Sequence, residues 1–420
     1  PSSTIEKSDV GRFDTAFKIT IFKGIINTAA IAICLNFFGS FGISSSLIFK
    51  NISKKTIKVA IVYHYIAHYR KAIFNELCCS NSNENIEYEV VADEVSNISS
   101  IKTLTRTELF PNTSMPSKWI KLTNIWITKH ILWQRGLLGL SWSKKYDALI
   151  MLGNMYFIST WVAVIVAKLR GKKIYFWTHG YRNEEKGLKG SVRAVFYNLA
   201  DGLFLYGNRA KDILIRKGFP SNKLHVIYNS LDFNLQVNEL NNINEKDREI
   251  KRQELNIGKL DKIIIAIGRI TKDKKFDMLI DVLARLNNAG SHKYKLIVVG
   301  EGPDKVLMEY KAGEFSVEKD IVFYGECYGE RELAILISMS DISVVPGDIG
   351  LSAIHSLTYG TPVITHDDFS THKPEFEAIK EGVSGSFYKL GSVMDLMEKI
   401  NLWSMKDRNE VVQNCQSVIS

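Results

Sequence analysis

From Lys58 onward the apolar positions alternate between short β-branched runs and longer stretches with helical spacing. Lys58–Val62, Tyr88–Ala92, Ala148–Leu152, Lys173–Trp177 and Gly202–Tyr206 read as strands buried on both faces, because their apolar residues run on without a polar alternate. Arg70–Cys79, Tyr156–Leu169 and Val192–Leu199 read as the helices between them. A second set begins at Ile263. Strands Ile263–Ile267, Lys295–Val299, Ile321–Tyr324, Ile342–Val345 and Val363–Thr365 alternate with helices Met278–Leu286, Lys305–Lys311, Arg331–Ser338 and Leu351–Tyr359. Strand–helix alternation of this kind implies parallel βαβ units and a doubly wound sheet. The expected fold is therefore α/β with two Rossmann-like domains, residues 56–234 and 262–420. Between them, residues 235–261 are rich in Asn, Glu and Lys and predict a linker with one short polar helix.

Residues 1–55 form an extension of another character. Gly24 to Phe49 carries no charge and follows Lys18 and Lys23. That length suffices for a membrane span. Asn27, Asn36, Gly39, Gly42 and Ser44–Ser46 dilute it, so a buried or irregular extension is the alternative. The chain begins at Pro1 rather than Met, and a fragment of a longer protein is expected.

Charge separates the two halves. Residues 1–235 hold 31 Lys+Arg against 16 Asp+Glu (31 − 16 = +15), and residues 236–420 hold 23 against 29 (23 − 29 = −6), which sum to the net +9. A basic half suits an anionic membrane surface, and a Lys-rich solvated face is the bland alternative. No nucleic-acid partner is expected. Trp119, Trp126 and Trp133 recur every seven residues among Lys118, Lys121, Lys129 and Arg135. On a helix this spacing makes either a core stripe or an interfacial one. The five cysteines are odd in number and lack C-x-x-C spacing, which argues against a disulfide framework or a zinc site.

In open parallel sheets ligands bind beyond the carboxyl ends of the strands, and the chemistry-bearing residues cluster there. Gly268-Arg269 follows strand 263–267, with Lys272, Lys274 and Lys275 close behind. An Arg and a Lys together suit a diphosphate, since both can offset its departing charge. Gly300-Glu301-Gly302-Pro303 ends the next strand but lacks the third glycine of a dinucleotide turn. Pro346-Gly347-Asp348-Ile349-Gly350-Leu351-Ser352 then leads into a helix whose N-terminal amides and dipole favour an anion. His355 lies one turn along that helix and either faces the ligand or is a satisfied core histidine. No Asp-x-Asp pair is present to hold a divalent cation.

The order Gly268-Arg269…Lys274, Gly300-Glu-Gly-Pro, Phe323-Tyr-Gly, Pro346…Gly350-Leu351…Gly360-Thr-Pro-Val, then Glu375 and Gly382…Gly385, resembles retaining glycosyltransferase family four, of two-domain GT-B architecture and bacterial surface-polysaccharide type. The resemblance covers about 120 residues. It implies that Arg269 and Lys274 grip the donor diphosphate and that Gly268, Glu301, Asp348, Gly350, Leu351, Ser352 and His355 line the donor site, with Tyr324 and Glu326 near the base. The family usually carries Glu-x7-Glu where this chain has Gly347 and His355. Asp348 is the nearest substitute for the first, and an imidazole can hydrogen-bond ribose hydroxyls in place of the second.

In the first domain Trp177-Thr-His179-Gly180 resembles the family's strand-end histidine beside the donor sugar, and Tyr228-Asn229-Ser230-Leu231-Asp232 resembles the stretch closing that domain. His68-Tyr69-Arg70 resembles an acceptor loop without the double glycine of many members.

The resemblance implies transfer of a hexosyl group, with retention, from a UDP- or GDP-sugar to a lipid-linked or polysaccharide acceptor such as lipopolysaccharide. His179, Arg269 and Lys274 would be the catalytic groups, with no cofactor and no metal. The expected location is the cytoplasmic face of the inner membrane, peripheral or anchored by residues 24–49. A non-hydrolysing sugar-nucleotide epimerase and a catalytically degenerate membrane scaffold are the alternatives.

Overall fold

The computed structural model describes residues 56–79, 85–96, 102–111, 118–185 and 187–419. The expected membrane segment at residues 24–49 lies outside them. Among the described residues no helix is long and apolar enough to cross a membrane. The chain divides into two compact units between Asp232 and Phe233.

The first unit is built on a seven-stranded sheet of order β3-β2-β1-β6-β7-β8-β9. Its strands are β1 (Ile57–Tyr65), β2 (Ile86–Asp93), β3 (Trp119–Lys121), β6 (Ala148–Leu152), β7 (Lys173–Thr178), β8 (Gly202–Leu205) and β9 (Leu224–Val226). All their pairings are parallel. Helices α1 (Lys71–Cys79), α2 (Leu137–Trp142), α3 (Ile158–Leu169), α4 (Gly187–Asn198) and α5 (Asn208–Arg216) connect them. Ala60 and Val62 face one apolar core while Val59, Ile61 and Tyr63 face another, so helices cover both sides of the sheet. That two-sided burial is why β1 reads as a continuous apolar run.

The tryptophan heptad is not helical. Trp119 lies on β3, with its indole N–H donating to the Ala92 carbonyl at 3.2 Å. Trp126 and Trp133 lie on β4 (Thr123–Trp126) and β5 (Leu132–Arg135), an antiparallel pair. Strand geometry wins because Asn124 N–H and side chain are tied to Asp93 and to the His64 carbonyl, fixing β4 beside the end of β1. The seven-residue spacing is a coincidence of strand and turn lengths.

The second unit carries a six-stranded parallel sheet of order β12-β11-β10-β13-β14-β15. Its strands are β10 (Lys262–Ile267), β11 (Tyr294–Val299), β12 (Ile321–Gly325), β13 (Ile342–Val344), β14 (Val363–His366) and β15 (Gly385–Tyr388). Ile263, Ile264, Ile265, Leu296, Ile297 and Val298 are essentially solvent-free, each worth about 1.5–3 kcal/mol of burial.

Residues 235–261, expected as a linker, belong to this unit. They form α6 (Phe233–Asn241) and α7 (Glu245–Glu254), closed at its start by a reciprocal Asn244–Asp247 capping box. Of their apolar residues Ile243 and Ile257 are buried, joining Ile263, Ile265 and Leu333 in one cluster against which Leu240 and Leu255 pack. Their polar residues pair with α10 (Glu330–Ser338), through Lys251–Glu332 at 2.8 Å and Arg248 Nε to Ser338 Oγ at 3.1 Å. Sparse apolar content therefore marked a one-sided surface helix rather than a spacer. The remaining helices are α8 (Met278–Ala289), α9 (Lys305–Glu314), α11 (Ser352–Thr358), α12 (Val393–Ser404) and α13 (Arg408–Ile419); in chain order, α10 falls between β12 and β13.

Candidate functional site

The carboxyl ends of β10, β11 and β12 are tied together by backbone hydrogen bonds that continue past the strands. Gly268 N–H donates to Val299 O (3.0 Å), Ile270 N–H to Glu301 O (2.9 Å) and Gly300 N–H to Gly325 O (2.8 Å). The approach requires glycine. Gly300 has φ +142°, and a Cβ there would sit 2.1 Å from the Gly268 carbonyl. One at Gly302 would sit 2.1 Å from the Ile270 carbonyl. These glycines, which do not fit the pattern of a dinucleotide turn, let adjacent loops close into one surface. Arg269 stands exposed on it.

The loop after β13 is sewn to the 3-10 turn Lys272–Lys274. Gly347 N–H donates to Lys274 O and Asp348 N–H to Asp273 O, both at 2.8 Å. The Lys274 ammonium donates in return to the Asp348 carbonyl. Burial lowers the Lys274 pKa, partly offset by Asp348. Lys274 is half-buried with its ammonium on the carbonyl of the facing loop, whereas Arg269, expected with it to grip diphosphate, is exposed. Gly347 has no room for a side chain: its Cβ would lie 1.9 Å from the Asp273 carbonyl. The glutamate that the resemblance would place at 347 does not fit this contact.

A histidine lock lies beneath the same loop. Ile349 N–H donates to His372 Nδ1 (3.1 Å), and His372 Nε2 donates to the His366 carbonyl (2.8 Å). His366 accepts the Asp368 N–H at Nδ1 (3.1 Å) and meets Thr371 Oγ1 through Nε2 (3.4 Å). The two rings stack at 4.0 Å. Burial and its neighbour His372 push His366 down to about 4, and burial lowers His372 as well. With Asp348 these histidines bring potential metal-ligating atoms within 4.8 Å of one another. All four ring nitrogens are already engaged in hydrogen bonds, one of which holds the Ile349 amide, so the cluster fits a structural role. Gly350 is buried, and Leu351 and Ser352 are half-buried at the start of α11.

His355, expected to face a ligand, meets a carboxylate that no sequence motif announces. Its Nε2 lies 2.7 Å from Glu330 Oε1, and Tyr359 donates its hydroxyl to the same oxygen at 2.5 Å. Burial alone would raise the Glu330 pKa, but hydrogen bonds from His355, Tyr359 and Gln236 hold it below its ordinary value. Glu330 opens α10, where an acidic residue after Gly329 is a helix-start signal; nothing local points to a partner 25 residues away.

The other expected donor residues are spread along the rim. Tyr324 donates its hydroxyl to Glu332, which also binds Lys251. Glu301 binds Lys305 at 2.7 Å, one turn along. Glu326 is exposed in the loop before α10.

In the first unit a separate cavity of about 580 Å³ opens at the ends of β1, β6 and β7. Tyr69, Arg70 and His179 line it. His179 is exposed, with its ring 4.5 Å from that of Tyr206. His68, grouped with Tyr69 and Arg70 in the sequence, is not among the lining residues; its Nδ1 sits 3.3 Å from the Lys102 carbonyl. His64, Tyr206 and Trp177 complete the inner wall and were not anticipated, because each sits inside or just after a run that reads as plain strand.

Residues 247–417 match the family model described as glycosyl transferases group 1. A GDP-mannose-dependent alpha-(1-6)-phosphatidylinositol dimannoside mannosyltransferase of Mycobacterium tuberculosis is 32% identical over 105 residues, 24% of this chain and 26% of that protein. The chain thus spans about a quarter of that relative's length. Among solved structures, the apo lipopolysaccharide outer core galactosyltransferase WaaB superposes with TM-score 0.61 at 16% identity, covering 86% of this chain and 95% of that one. Anabaena HepE in complex with UDP gives 0.63 at 16% identity, covering 87% and 93%. At these identities the likeness is one of fold: two parallel-sheet Rossmann-like domains of GT-B type.

Proposed function

We propose that this protein, whose second unit carries the glycosyl transferases group 1 domain, moves a sugar from a nucleoside-diphosphate donor to a glycan or lipid-linked acceptor. The observation that carries the reading is the fused surface at the ends of β10, β11 and β13, which lies inside the matched segment and presents Arg269. Arg269 offsets the charge of the departing diphosphate, which strengthens as the glycosidic bond breaks. Lys274 and the His366–His372 lock keep the Gly347–Ser352 loop in the shape that receives the phosphates. Glu330 and His355, joined at 2.7 Å, would hydrogen-bond the ribose hydroxyls, the role the family resemblance implies for position 355. The relatives' UDP complex and GDP-mannose dependence support a nucleotide-sugar donor. Retention at the anomeric carbon and a site without metal are part of the proposal through the family resemblance.

The proposal extends to a membrane surface. On α3, Ile158, Val162, Ile165 and Leu169 are exposed at helical spacing, and on α4 so are Leu188, Val192 and Val195. The rings of Trp161 of α3 and Phe196 of α4 lie 4.8 Å apart, so the two helices are neighbours. Lys168 and Lys189 stand exposed among them. An apolar face rimmed by cations, on the basic half of the chain, suits the anionic cytoplasmic leaflet.

Incubation with radiolabelled UDP- and GDP-sugars and a bacterial membrane extract tests the activity. Label carried into lipid or polysaccharide is expected. Interconversion of free nucleotide sugars would assign the epimerase reading instead, and failure to bind any nucleotide would defeat both.

A further inference from the structure

Among the described residues Arg70 is a buried charge without an anion beside it. The 3-10 turn His68–Arg70 at the end of β1 carries it inward, and it is 7% exposed. Its guanidinium carbon lies 5.4 Å from the ring centres of Trp177 and Tyr206, 5.6 Å from Tyr63 and 5.8 Å from Tyr69. Nη2 donates to the Tyr206 hydroxyl at 2.6 Å. Nη1 is buried and has no hydrogen-bond partner. Among the described residues no carboxylate lies within 4.0 Å of this guanidinium. Aromatic faces stabilise a desolvated cation, which accounts for the charge being tolerated. They offer nothing to the open N–H, and an unsatisfied buried donor on a charged group is costly.

The cavity beside Arg70 has the matching imbalance. Its lining includes three arginines, Arg70, Arg182 and Arg193, and one acid, Glu185. Glu185 is already held by Arg193 through two hydrogen bonds of 2.9 and 3.1 Å. His64, also in the lining, has its Nδ1 buried without a partner. Burial, then the charge of Arg70, pushes His64 down to about 4, so it meets a ligand as a neutral ring. Half-buried Tyr69 and exposed Tyr156 also line this space, and aromatic side chains suit the C–H face of a pyranose. A volume of about 580 Å³ falls in the range of small-molecule sites.

We propose that this cavity receives an acceptor sugar bearing an oxyanion, a carboxylate or a phosphate ester, and that the open Nη1 of Arg70 donates to that group. The inference rests on the transferase reading for the word acceptor. The site itself lies wholly within residues 63–206 and shares no residue with the donor surface.

Titration calorimetry on the full chain with methyl glucuronide, glucose 6-phosphate and methyl glucoside tests it, at 0.15 M salt so that distant surface charge is screened. At least one charged sugar is expected to bind about ten-fold or more tightly than the neutral one, the equivalent of a charge-assisted hydrogen bond. Which of the two binds distinguishes carboxylate from phosphate. Arg70→Met should erase the preference while leaving UDP and GDP binding unchanged, and Arg70→Lys should retain part of it. Equal affinity of the wild-type chain for charged and neutral sugars would overturn the proposal whether or not either variant folds. Charged-sugar binding in a chain that binds no nucleotide would leave this site standing and remove the transferase reading; nucleotide binding without the preference would do the reverse.

Discussion

His355 and Glu330 form a half-buried pair at 2.7 Å, joining the middle of α11 to the first residue of α10. The acid comes from a neighbouring helix, and under the proposed function the pair together holds the ribose hydroxyls. Glu330→Gln should weaken UDP or GDP binding about three- to ten-fold, on the order of one hydrogen bond. Calorimetry on folded protein reads this directly, and unchanged affinity would mean the pair is only a brace.

Arg269 and Lys274 should separate in their effects. Arg269 is exposed and carries little packing, so Arg269→Ala should leave thermal stability within a degree or so and lower kcat/KM at least ten-fold, from a lost charge-assisted contact of about 1.5–3 kcal/mol. Lys274→Met removes the donor to the Asp348 carbonyl and should lower the melting temperature as well as the rate. Equal melting of both variants would contradict the structural assignment of Lys274.

Introducing a side chain at Gly347 should unfold the loop. The Cβ of Gly347→Ala meets the Asp273 carbonyl at 1.9 Å, and overpacking of this kind costs about 1–3 kcal/mol, or roughly 2–10 °C in a unit of this size. Differential scanning fluorimetry checks it. Gly347→Glu, which writes in the family residue, should be worse, and a variant as stable as wild type would show that the two loops part easily.

Stability should fall as the solution is acidified below neutral. His366 and His64 are neutral in the fold, each pushed down to about 4 by burial. In the unfolded chain they protonate below about 6.5. The unfolded state therefore binds more protons between pH 6.5 and 4, and stability drops across that window by about 1.4 kcal/mol per pH unit for each group. Urea midpoints measured from pH 7 to 4.5 should decline, and His366→Gln should flatten the decline. A level profile would mean these rings accept protons without penalty.

Val162→Glu and Ile165→Glu place acids in the exposed stripe of α3, where they touch no core. Co-sedimentation with phosphatidylglycerol vesicles should fall several-fold with no change in melting temperature. Binding that persists would point the membrane-facing surface elsewhere.

The range of each interaction decided how much was legible beforehand. Strands such as Ile263–Ile267 announce themselves because both faces of a parallel sheet are buried, and the strand-end motifs come with the sheet topology. The two Rossmann-like domains and the strand-end place of Arg269 were therefore within reach of pattern alone, while the GT-B architecture entered through the family resemblance. Contacts between distant positions were not: Lys274 to Asp348 spans 74 residues, Glu330 to His355 spans 25, and Arg70 to Tyr206 spans 136. The tryptophan spacing misled because a period of seven is also what a strand, a turn and a second strand can produce. The segment at 235–261 misled because polarity was averaged along the chain, whereas Ile243 and Ile257 place their apolar surface on one side.

The near-contact of Gly347 with the Asp273 carbonyl also constrains how this sequence can change over time. A single codon change at 347 is penalised by the turn at 272–274, and a looser turn gains nothing while 347 remains glycine. The two sites should therefore drift together in related chains, a side chain at 347 arriving only with a rebuilt 272–274 turn. Donor preference in this lineage would then shift in coupled jumps rather than by single substitutions, and a library that varies both loops at once is the one in which a new donor should emerge.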